Sequence, residues 1–141
     1  MASGSEHRTV TVARTSAGRY TATNVRGGQL TLGKGDTEDF SPVELLLVAL
    51  AGCTGIDVDV VTSRRAEPDT FEVRADADKV RDEQGNHLTG VVVSFRVAFP
   101  DTEPGREAQS LVPGLVQASH DRLCTVGRTI EIGTPIGTRI E

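Results

Sequence analysis

The sequence predicts a small α+β protein, and three observations carry that prediction. Short runs of alternating residues open the chain, a single strongly apolar helix with a capped start follows, and a long alternating hairpin then gives way to two further helices and a last strand. Strands and helices are grouped, not alternated one by one, which separates this order from a βαβ fold.

The first group is Thr9–Arg14 (TVTVAR), Arg19–Val25 (RYTATNV) and Gln29–Leu32, with turns signalled at Ser16-Ala17-Gly18 and Gly27-Gly28. Gly33–Phe40 is a polar loop. Ser41-Pro42-Val43-Glu44 then forms a capping box: a Ser cap, Pro in the first helical position and Glu three residues after the cap. The residues that follow, Leu45 to Leu50, are apolar on every side, so this helix is expected to be surrounded by protein. Small residues (Ala49, Ala51, Gly52, Cys53, Gly55) gather at its middle. A helical Gly costs about 1 kcal/mol relative to Ala, so their presence points to close approach by another element. The helix is expected to run to about Arg64.

Alternation returns over Thr70–Val80, with Phe71, Val73, Ala75 and Ala77 on one side, and over Gly90–Phe99, with Val91, Val93, Phe95, Val97 and Phe99. The charged turn between them, Arg81–Asn86, makes a long hairpin with one wet and one buried face. Glu103–Val112 reads as a short helix. Pro113 is expected to open a second, reaching about Thr125, with Leu115, Val116, Ser119 and Leu123 on its apolar side. Thr129–Ile140 is β-like, with Ile130, Ile132, Ile136 and Ile140 between Gly and Pro. There is no repeat and no linker, so residues 1–141 read as one domain, residues 1–7 as a flexible tail.

Composition narrows the function. The net charge is −5 and the longest basic run is Arg64-Arg65, which argues against nucleic acid as a partner. The longest apolar run, Val43–Val61, carries Asp57 and Asp59, so a packed helix is preferred to a membrane span. No export signal is visible, which points to the cytoplasm, where two cysteines are rarely a permanent staple. His7, His87 and His120 are scattered, with no metal-ligand spacing and no phosphate-cradling glycine motif. By local rules alone Cys53, mid-helix and 71 positions before Cys124, reads as a small buried hydrophobe. It is too far into the helix to gain from the dipole, and an Asp57 on the same face would raise its pKa.

A resemblance adds what local rules do not. Ser41-Pro42-Val43-Glu44-Leu45-Leu46, continued by Leu50-Ala51-Gly52-Cys53-Thr54-Gly55-Ile56-Asp57-Val58, resembles the first cysteine motif of the OsmC/Ohr hydroperoxide-reductase family. Ala118-Ser119-His120, Leu123-Cys124-Thr125-Val126 and Thr129 resemble its second motif, and the element order is similar across essentially the whole chain. The resemblance implies antiparallel sheets around a long buried central helix in an intertwined homodimer. It implies that Cys53 is the peroxidatic residue, that Cys124 resolves its sulfenic acid as a disulfide, and that the substrate is an organic hydroperoxide. No cofactor is implied; an external thiol or dithiol, such as lipoamide, would restore the pair. Family peroxidases also carry a Glu ten residues before the first Cys, paired with an Arg that holds the thiolate. Val43 occupies that position here, and Glu44 lies about 100° around the helix. Arg14, Arg19 and Arg26 are the candidate cations, Arg19 the first choice. The missing Glu sets up a second reading: a non-catalytic or redox-sensing member that binds a small apolar ligand at the dimer interface.

Overall fold

The computed structural model describes residues 4–141. Of the expected tail, residues 1–3 lie outside the described residues, and 4–9 are exposed without regular structure. The chain forms two compact units, the boundary falling after Leu46.

In the first unit, β1 (Val10–Ser16), β2 (Arg19–Asn24) and β3 (Gln29–Leu32) make an antiparallel sheet in sequence order. Gly18 makes the first turn because its φ of +71° is one that side-chain-bearing residues avoid. At the second turn the Asn24 side-chain carbonyl accepts from the Arg26 and Gly28 amides at 3.0 and 2.9 Å. The loop over residues 33–40 closes where the Gly33 amide donates to the Phe40 carbonyl at 2.9 Å.

α1 spans Pro42–Thr62, and its start is the capping box the sequence predicts. The Ser41 amide donates to Glu44 Oε1 at 2.8 Å, and the Glu44 amide donates to Ser41 Oγ at 3.2 Å. The Ser41 amide foremost, and the Ser41 hydroxyl after it, hold the Glu44 carboxyl below its ordinary pKa.

In the second unit, α1 packs through Thr54, Gly55, Val58 and Thr62. Gly55 accounts for part of the small-residue centre: a Cβ there would lie 3.2 Å from Val73 Cγ2, so a glycine lets the hairpin come close. Gly52 has open space instead. At 21 residues α1 is long and apolar enough to cross a membrane by length and composition. Within this chain, however, Val48, Ile56 and Val60 are exposed, so the expected all-round burial is not met by one copy.

The hairpin is longer than expected. β4 (Thr70–Asp82) and β5 (Gly85–Ala98) pair from Thr70–Ala98 to Asp82–Gly85, so the chain over 85–89 is strand where a turn and its flank were expected. The register simply continues past a bulge between Asp76 and Asp78, and Gly85, at φ +97°, makes the tight end. Phe71, Val73, Ala75 and Ala77 keep the partly buried face; Val91 is exposed, contrary to expectation, because it lies next to the bulged stretch.

Two expectations about the C-terminal third are corrected. α2 runs unbroken over Glu103–Ala118 with Pro113 inside it. Pro113 removes one backbone donor, but half-buried Leu111, Val112, Leu115 and Val116 continue the packed face across it. A five-residue π turn, Ser119–Leu123, then leads into α3 (Thr125–Glu131), so the chain does not stay one α-helix to Thr125. No strand forms over 129–140: Thr129–Glu131 end α3, and Ile136 and Ile140 are fully exposed with no neighbouring strand to pair. Strand propensity needs a partner edge to become a strand.

Candidate functional site

The site lies in the second unit, where the middle of α1 meets the π turn and the start of α3. The buried side chains there are Thr54, Val58, Ser119 and Cys124. Cys53 and Cys124 are both free thiols, and they lie near enough for Cys53 to help raise the pKa of the Cys124 thiol. The structure thus brings together the two cysteines singled out from the sequence. They are not equivalent, for Cys53 is half-buried and Cys124 only 4% exposed.

Each is positioned by local structure. Cys53 is held by the rigid helical backbone of α1. Cys124 is extended (φ −73°, ψ 101°) and caps α3, its sulfur accepting from the Gly127 amide at 3.3 Å. The π turn decides which residue arrives there. Its one extra residue per turn shifts the phase of everything after Ser119. Leu123, expected on the apolar side, is therefore exposed, and Cys124 is buried. Burial pushes the Cys124 thiol above its ordinary pKa. The Gly127 amide opposes this, while the Cys53 thiol and the Asp57 charge add to it.

Ser119 is the functional candidate that sequence reasoning missed. Fully buried, it sits 2.8 Å from Thr54 Oγ1 and 2.7 Å from Asp57 Oδ2. A hydroxyl has one proton and an ionised carboxylate only accepts, so Thr54 donates to Ser119 and Ser119 donates to Asp57. The signal was legible: a Ser on the apolar side of a predicted helix is a buried hydroxyl that must find a partner.

The remaining candidates lie elsewhere. Arg19 is on β2 in the first unit, its guanidinium 3.4 Å from the Asp39 carboxylate. Val43 is exposed near the start of α1, and Glu44 is committed to the cap. His120 points outward, bonded to Asp121 at 2.9 Å and near Glu131 at 3.3 Å; these carboxylates raise its pKa, the Asp121 hydrogen bond foremost. Among the described residues, no three metal-ligating side chains converge. On the other side of α1 a shallow apolar groove of about 550 Å³ is lined by Val48, Gly52, Gly55, Ile56, Phe71 and Val73, with Asp59 at its rim.

A grouped α+β fold that brings two free thiols near each other at the middle of its longest helix defines a class of small dithiol protein. The family model for OsmC-like proteins matches residues 33–139, and the chain belongs to that family. An uncharacterized protein of Mycobacterium tuberculosis is 32% identical over 133 residues, covering 92% of this chain and 93% of its own. Solved structures share the fold at lower identity. A hypothetical protein from Aquifex aeolicus VF5 aligns with TM-score 0.72 at 19% identity, over 92% of this chain and 91% of its own. An OsmC-like protein from Mycoplasma pneumoniae gives 0.70 at 15%, over 89% and 88%. An organic hydroperoxide resistance protein OsmC from Legionella pneumophila gives 0.60 at 14%, over 91% of each chain.

Proposed function

We propose that this protein is a thiol-dependent reductase of organic hydroperoxides, working in the cytoplasm as a homodimer. The observation that carries the reading is the nearness of a half-buried Cys53 to a buried Cys124 whose thiol burial pushes above its ordinary pKa. This asymmetry suits a division of labour. The Cys53 thiolate attacks the terminal peroxide oxygen; the O–O bond breaks, the alkoxide takes a proton and leaves as an alcohol, and Cys53 becomes a sulfenic acid. The Cys124 sulfur then attacks the Cys53 sulfur. Its thiol proton and the departing hydroxyl leave as water, and a disulfide forms. An external dithiol reduces that disulfide by two exchanges and is itself oxidised.

Dimerisation is supported by the apolar face of α1, where Val48, Ile56 and Val60 stand exposed along one chain. A second copy packed there would bury that face and close the neighbouring groove, whose apolar lining suits an alkyl substituent better than hydrogen peroxide.

Stoichiometric cumene hydroperoxide tests the reading. Mass spectrometry is expected to find both thiols consumed and Cys53 linked to Cys124, with Cys53→Ser unreactive. Two thiols still free after treatment overturn it. Val43 in the position where family peroxidases hold a Glu favours the second reading, a redox-sensing or ligand-binding dimer using the same groove. Slow peroxide consumption that Val43→Glu improves, with apolar ligands raising the melting temperature, supports that alternative; rapid turnover with dithiothreitol removes it.

A further inference from the structure

Ser119 bonds in two directions across the thiol pair. Its backbone carbonyl accepts from the Cys124 amide at 2.9 Å, the wide i to i+5 bond that defines the π turn. Its hydroxyl is fixed at 2.8 Å to Thr54, the residue next to Cys53, and at 2.7 Å to Asp57, one helical turn further along α1. One fully buried residue therefore connects the backbone of one cysteine to the side chains that flank the other.

The blander explanation is a buried hydroxyl satisfied for the sake of the core. Thr54 alone would do that, and a Ser–Thr pair buries no charge. Asp57 is a half-buried carboxylate, and partly desolvating a carboxylate is costly unless it is well bonded. A π turn is also a rare insertion that relaxes readily into α-helix, and relaxation here would rotate Cys124 by about 100°. The carboxylate stands where such a turn needs pinning.

We propose that Asp57 and Ser119 are positioning residues for the thiol pair: the Asp57 carboxylate, acting through the Ser119 hydroxyl, holds the π turn at the phase that aims Cys124 at Cys53. This rests on the redox reading of the two cysteines and assigns to it residues outside both thiols. The charge has a second effect. The ionisable groups facing Cys124 are Cys53 and Asp57 from α1, joined by the Gly127 amide from α3. His120 and Asp121 on the turn are exposed, and Arg128 is engaged with Glu131 at 3.0 Å. With no cation among its neighbours, the Asp57 charge adds to the burial that keeps Cys124 in its thiol form, so that Cys53 meets the oxidant first.

Two measurements separate this proposal from the reading it rests on. The first needs no oxidant: in a Cys53→Ser background, alkylation of Cys124 by iodoacetamide is followed against pH. Asp57→Asn is expected to move the midpoint to lower pH; an unmoved midpoint overturns the electrostatic role whether or not the protein reduces peroxides. The second uses the chain with both cysteines and cumene hydroperoxide, with dimedone trapping sulfenic acid. Asp57→Asn and Ser119→Ala are each expected to slow Cys53–Cys124 disulfide formation by about tenfold, the trapped sulfenic acid rising as the disulfide is delayed. Ser119→Thr, which restores the hydroxyl, is expected to recover the rate. Disulfide formation within about twofold of the parent in both variants overturns the positioning role. A parent chain that forms no sulfenic acid at all overturns the peroxide reading instead, and disulfide formation driven by diamide then decides on Asp57 and Ser119. If Asp57→Asn does not fold, Ser119→Ala carries the same comparison with the charge intact.

Discussion

Replacing Ile56 by Glu is expected to break the proposed dimer while leaving the protomer folded. Ile56 lies on the outer side of α1 with 63% of its surface exposed, at the edge of the apolar groove. Full burial of an isoleucine contributes about 2.5 kcal/mol, so covering the exposed share contributes about 1.5 kcal/mol. A twofold interface counts each residue twice, giving about 3 kcal/mol. At about 1.4 kcal/mol per decade, the dimer dissociation constant rises by about two orders of magnitude before the cost of stranding two carboxylates is added. Because the side chain faces outward, circular dichroism and the urea midpoint of the dilute protein should hardly change. Sedimentation velocity across a dilution series of parent and variant reads the shift directly. A variant that stays dimeric at every concentration where the parent does would refute the assignment of this face, as would a parent that sediments as a monomer throughout.

Four further outcomes follow from local geometry. Val58 is completely buried in the second unit, so Val58→Ala should cost about 2 kcal/mol, seen as a lower urea midpoint at unchanged m-value. Ser41→Ala removes the acceptor of the Glu44 amide and should lower the melting temperature by about 4 °C at neutral pH. Glu44 has a folded pKa below its ordinary 4.5, so the stability it contributes is present above pH 4.5 and is lost as pH falls through the lowered value; a Glu44→Gln chain should melt with a flatter acid profile. His120 has the opposite sign: its folded pKa is above 6.5, so its contribution is complete below pH 6.5 and fades as pH rises through the folded value. The protection of α3 amides relative to their intrinsic exchange rates should fall over that interval, and His120→Ala should remove that fall.

Much of this was legible in the chain because it is written in local chemistry. The capping box at Ser41 and the turns at Gly18 and Gly27 depend on a few adjacent residues, and they formed where expected. The cysteine pair was legible only through resemblance, since nothing local to Cys53 says that a residue 71 positions later will lie near it. The misreadings came from features that need a neighbour. Pro113 looks the same at a helix start as inside a helix whose packed face continues past it. The isoleucines after Thr129 have strand propensity, but no partner strand runs beside them. The π turn has no signature in residue periodicity, yet it exchanged the places of Leu123 and Cys124 and so set the geometry of the site.

The sulfur of Cys124 is also the first-turn acceptor of α3, a helix of only seven residues whose third residue is a glycine. So short a helix is marginal by itself and leans on its cap. Any bond formed at that sulfur draws electron density from the lone pair that receives the Gly127 amide. The start of α3 therefore depends on the same atom that sits beside Cys53, and the helix and the thiol pair share one sulfur.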